Sequence, residues 1–156
     1  MTTTVTKVQT KWETKKTQEN TANAFAAIYL SAYQALSQAG EKAHEEFNNL
    51  MVQHKIAHYK AAGVKTPLDL VRTMAETEHN LFGSEVEISG DENKATIKWN
   101  TCGMWNACKT LGKLTPEQEQ KMGENCSATS AKLAKEFGFK AEPNMTKDTW
   151  EMTFSK

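Results

Sequence analysis

The sequence predicts an α+β domain with an antiparallel sheet, and three observations carry that expectation. Apolar residues recur at helical spacing through the first half of the chain. The period then switches to two over SEVEISGDENKATIKWN, where Val86 and Ile88 are followed by Ala95, Ile97 and Trp99. A second alternating stretch closes the chain, with Trp150, Met152 and Phe154 on one face. Strands gathered in hairpins, with helices kept apart from them, argue for one four-stranded sheet covered on one side by the long helices.

A length of 156 residues suits one domain with one sizeable core. The division expected is a flexible N-terminal arm over 1–16 and a single domain over 17–156. The arm is rich in Thr and Lys, and Val5, Val8 and Trp12 are its only large apolar side chains. Lys plus Arg number 19 and Asp plus Glu number 19, so no global field draws the chain to nucleic acid or an acidic membrane. No apolar run approaches the ~18 residues of a spanning helix. The N-terminus lacks the apolar stretch of a secretory signal, so a cytoplasmic protein is expected. Three cysteines is an odd number, which in that compartment means reduced thiols.

The first helix is expected over Thr17 to Gln38, with Ala22, Phe25, Ala26, Tyr29, Ala32, Tyr33 and Leu36 in one stripe. The stripe reads as core, with Tyr29 and Tyr33 turning a hydroxyl toward a pocket. Gly40 separates it from a second helix over Glu41 to Ala62. The apolar arc of that helix holds Ala43, Phe47, Leu50, Met51, Ala57 and Ala61, and with them His54 and His58, one turn apart. Such a pair can hold one metal ion. It is not the zincin pattern, because Lys55 stands where that pattern has Glu. The plainer reading is one core histidine bonded to a carbonyl and one exposed. His44 falls at the surface.

A third helix starts at Thr66 and Pro67, an N-cap followed by proline at the first helical position, and stops at Gly83. Glu78 falls inside its stripe, among Val71, Met74, Leu81 and Phe82. A carboxylate there needs a polar pocket, a cationic partner or a proton.

All three cysteines fall in the stretch from Trp99 to Cys126. Cys102 sits where a strand gives way to a short helix, and Gly103 lets a ligand or backbone approach closely. Backbone N–H groups at that helix start favour the Cys102 thiolate. Cys108 and Cys126 lie on apolar helical faces, where free cysteine acts as a small hydrophobe. Thr115 and Pro116 start the last helix, with Met122, Cys126, Thr129, Leu133 and Phe137 inward. Two strands follow, Phe139 to Glu142 and Trp150 to Phe154, around a turn at Pro143 and Asn144. The cysteine spacing fits no zinc ribbon or finger. There is no phosphate-binding glycine loop, no GxSxG elbow and no nucleic-acid module.

The run EVEISGDENKATIKWNTCGMWNACKTLG, the cysteine-bearing helix after it and the closing GFKAEPNMTKDTWEMTFSK resemble the L-2-amino-thiazoline-4-carboxylic acid hydrolase-like family. That family is distantly similar to 4-vinyl-reductase-type small-molecule-binding domains. The resemblance covers about Pro67 to Phe154. Family members commonly show Cys-Pro where this chain has Cys102 and Gly103, and their cysteine cluster before the last helix is reduced here to Cys126. The resemblance implies a pocket for a small organic molecule between helices and sheet, with Cys102 and Cys126 carried over.

These readings combine into an expected hydrolase-like enzyme acting on a C–N bond of a small cyclic or amide-like substrate. Cys102 would be nucleophile or metal ligand, His54 or His58 the general base, and Glu78 the group that orients it. Tyr29, Tyr33, Trp99, Trp105 and Cys126 would bind the substrate. A metal site would draw on His54, His58, Glu78 and Cys102, with a divalent ion such as zinc ahead of haem. The alternative is a non-catalytic sensor domain binding a small molecule, metal or haem in the same pocket. A third reading makes these residues structural. The expected partners are a small-molecule ligand and a second copy in a homodimer, with no nucleic acid and no membrane.

Overall fold

Gly40, at a φ of 104°, turns the chain between α1 (Thr14–Ala39) and α2 (Glu41–Ala61). The computed structural model describes residues 12–146 and 149–156. The expected arm therefore lies mostly outside the described residues, Val5 and Val8 included. Its last residues differ from expectation: Thr14 to Lys16 are already helical, and the Thr17 hydroxyl donates to the Glu13 carbonyl at 3.2 Å.

The third helix, α3 (Pro67–Phe82), is capped at both ends. The Asp69 N–H donates to Thr66 Oγ1 at 3.1 Å, and the Thr66 N–H donates to the Asp69 carboxylate at 3.0 Å. This reciprocal pair satisfies two of the helix's free donors. Gly83 ends α3 in the left-handed region and releases the chain into β1 (Glu85–Gly90) and β2 (Lys94–Thr101). Then follow α4 (Gly103–Gly112), α5 (Pro116–Glu136), β3 (Lys140–Met145) and β4 (Trp150–Ser155). The four strands form one antiparallel sheet in the order β1-β2-β4-β3. The α+β architecture is as the periodicity predicts.

Pro143 corrects the expected boundary of β3. It was placed in a turn, but it lies within the strand opposite Met152. Proline has no N–H to give a ladder, and it is tolerated here because β3 is an edge strand.

The core has two parts. The larger sets the inner face of the sheet (Ala95, Ile97, Trp99, Met152, Phe154) against Leu70, Val71 and Met74 of α3, Leu133 and Ala134 of α5, and Tyr59 of α2. The smaller joins Ala22, Ala26 and Leu30 of α1 to Ala107 and Cys108 of α4 and Met122 of α5. Cys108, fully buried there, is packing material. Among the described residues no helix is long and apolar enough to cross a membrane.

The second helix turns a different face inward from the one its apolar arc suggests. Val52 and Tyr59 are buried and Ile56 packs beside them, whereas His54, Ala57, His58 and Ala61 are exposed. Three bulky side chains at i, i+4 and i+7 bury more area than a row of alanines, and they fix the roll of α2. His44, expected at the surface, is half-buried and meets the Tyr33 ring edge-on, with centroids 4.7 Å apart.

Candidate functional site

Ser84 is fully buried at the seam where α3 hands over to the sheet. Its hydroxyl donates to the Glu78 carboxylate at 2.9 Å and accepts the Gly103 N–H at 3.0 Å. One side chain thus ties the end of α3 to the start of α4. The two elements touch closely: a Cβ on Gly103 would collide with the Phe82 carbonyl oxygen. The approach that glycine permits is therefore that of backbone.

Glu78 is half-buried, and burial is the main reason its carboxyl lies above the ordinary range. Ser84 pulls it back most, then the Lys55 ammonium, then Trp99. The Trp99 indole N–H leans toward the carboxylate but falls short of a hydrogen bond. This donor, in a side chain only 5% exposed, has no partner among the described residues. Trp99 stacks on Trp150, with ring centroids 4.4 Å apart. The Trp150 indole N–H is likewise buried with no partner among the described residues. Tyr59 completes this wall. Burial, with the Glu78 charge adding to it, pushes its hydroxyl up to about 12.

Cys102 caps α4, and its sulfur accepts the Trp105 N–H at 3.4 Å. The expected thiolate does not follow. Burial, and next the nearby Glu78 charge, push the thiol up to about 12, and together they outweigh the helix-start donors. Cys126 behaves differently from a core residue. Its surface is exposed, yet burial is the largest influence holding its thiol above the ordinary range. The Glu78 charge raises it further and Lys55 lowers it. Tyr29 faces the same region. Burial, then Cys126 and Cys108, push its hydroxyl up to about 12.

The structure thus brings Glu78, Cys102, Cys126, Trp99 and Tyr29 into electrostatic or direct reach of one another. It leaves His54 and His58 apart, while Tyr33 lies beside Tyr29 and the Trp105 backbone N–H meets the Cys102 sulfur. His54 and His58 are on the exposed side of α2, and the cation that reaches Glu78 is Lys55. Tyr33 pairs with His44, and Trp105 packs on the smaller core. Among the described residues no three His, Cys, Asp or Glu side chains gather as a metal ion would need. The expected set of His54, His58, Glu78 and Cys102 is not assembled, because the roll of α2 points its histidines outward.

Sequence reading missed Ser84, Lys55 and Tyr59. A serine directly after a helix-ending glycine and before a strand is a signal of a seam, and Ser84 carried it. Lys55 was read only as the absence of a glutamate. The chain matches no family model and no curated protein.

Proposed function

We propose that this chain is a small-molecule-binding domain whose recess, beside Glu78, Trp99, Cys102 and Cys126, takes a ligand with an amine or N–H group. The observation that carries this reading is the unfinished hydrogen bonding around Glu78. A carboxylate has room for about four hydrogen bonds. Ser84 supplies one, and the buried Trp99 N–H stands beside it with no partner among the described residues. A ligand that donates to Glu78 and accepts from Trp99 completes both groups. An amide or an amine next to a carbonyl has that pair of functions. Cys126 and the Tyr29 ring would give the rest of the ligand a largely apolar wall. A pocket between helices and sheet is also what the resemblance to the hydrolase-like family implies.

Hydrolysis of a C–N bond at Cys102 is the second reading, and the Trp105 N–H on its sulfur favours it. Two features weigh against it. The thiol holds its proton, and no histidine is among the groups that act on it. The test is native mass spectrometry of the purified chain beside Glu78→Gln. The expected result is a small nitrogenous molecule carried by the wild type and lost from the variant. A bound molecule retained equally by both would contradict the role of Glu78.

A further inference from the structure

A cavity opens between α1, α2 and α5, and neither Glu78 nor Cys102 lines it. It encloses about 600 Å³ and is lined from three helices. Two of its lining side chains, His44 of α2 and Asn125 of α5, bear a buried nitrogen with no partner among the described residues: His44 Nε2 and Asn125 Nδ2. The tautomer of His44 follows from its neighbour. The Asn48 amide nitrogen lies 3.4 Å from His44 Nδ1 and has only hydrogens to offer, so Nδ1 accepts. In the neutral ring the proton then sits on Nε2. Both orphans are therefore donors. An unmet buried donor is costly, and two of them on the wall of one cavity, from α2 and α5, call for an acceptor.

The charges on the wall define the ligand further. Lys121 and Lys132 stand on the α5 side, and Glu41 and Glu45 on the α2 side. The Lys132 ammonium already donates to Asn49 at 2.9 Å. A simple anion would gain from Lys121 and lose to the two carboxylates. A molecule bearing both charges gains from each.

We propose that this cavity is a binding site for a small zwitterion of the amino-acid class. Its carboxylate accepts from His44 Nε2 and Asn125 Nδ2, and its ammonium faces Glu41 and Glu45. The Tyr33 ring, edge-on to His44, holds the imidazole in place. This site is independent of the recess at Glu78.

The test is calorimetric titration of the full chain with each free proteinogenic amino acid at millimolar concentration. For any that binds, the amine and the acid lacking one of its two charges follow. His44→Phe keeps the ring against Tyr33 and removes the donor, and Asn125→Leu does the same on α5. The expected result is binding of at least one amino acid and at least tenfold weaker binding of both half-charged analogues. Each variant should weaken it at least tenfold, about 1.4 kcal/mol, while Glu78→Gln leaves it unchanged. His44→Gln, which restores an N–H at similar reach, should recover most of the affinity. Four results would overturn the proposal: no amino acid binds, an analogue binds as well, both donor variants bind like wild type, or Glu78→Gln abolishes binding.

Discussion

Burial lifts the Glu78 carboxyl above 4.5, its ordinary value, and the Ser84 hydroxyl, Lys55 and Trp99 only partly offset it. The folded chain therefore keeps this proton to higher pH than the unfolded chain does. Well below the ordinary value both states are protonated, and the group has no effect. As pH rises through that value the unfolded chain ionises first, so stability falls until the folded carboxyl ionises as well. Glu78→Gln removes this dependence and keeps an acceptor for Ser84. The stability difference between variant and wild type should grow in the variant's favour as pH rises through that window and then level off. Urea melts across the acidic range measure it, and a difference that shrinks with rising pH would reverse the sign argued here. Cys102 offers a second measurement at this scale. Moving a thiol from 9.0 to about 12 lowers its thiolate fraction at mildly alkaline pH about a thousandfold. Peptide-mapped alkylation of Cys102 should be slower than that of a free thiol by at least that factor. It should speed up in Glu78→Gln, because the neighbouring negative charge is gone. Rapid labelling at neutral pH would restore the nucleophile reading.

The junction of α3 with α4 is where a single residue controls two elements. Gly103 has no room for a side chain against the Phe82 carbonyl, and its N–H is held by Ser84. Gly103→Ala should cost about 3 kcal/mol, at the upper end of overpacking losses, and should open the seam that positions Glu78. A melt within a degree or two of wild type would show that α4 can shift freely. The junction was partly legible in the sequence. Thr66, Pro67 and Gly83 mark the ends of α3 because caps are local chemistry, written in neighbouring residues. The roll of α2 was not legible. Its histidines and alanines form a passable apolar arc, and only packing against the rest of the fold, α1 and α5 foremost, decides that Val52, Ile56 and Tyr59 go inward. Pro143 misled for a related reason: proline marks a turn locally, while its place on a sheet edge depends on strand order.

At the scale of the whole molecule, the two hairpins form one sheet because each alternates on one face, and that pattern is visible in the sequence. Which helices meet at the end of that sheet is not visible. Glu78 was recognisable as a carboxylate out of place on its stripe. Its neighbours Ser84, Lys55 and Trp99 come from separate segments, joined only by the fold. The cluster is the product of that convergence, and the proposed binding function rests on it. The most direct test reads the Trp99 indole N–H itself. The chain has four tryptophans, so a ¹⁵N-labelled sample gives four indole signals, assignable by substitution. Titration with small amides and aminoketones should move the Trp99 signal, with Trp150 following through the stacked pair. The same compounds should leave it in place in Glu78→Gln. A Trp99 signal that no such compound moves, or one that moves equally without the Glu78 carboxylate, would contradict the account.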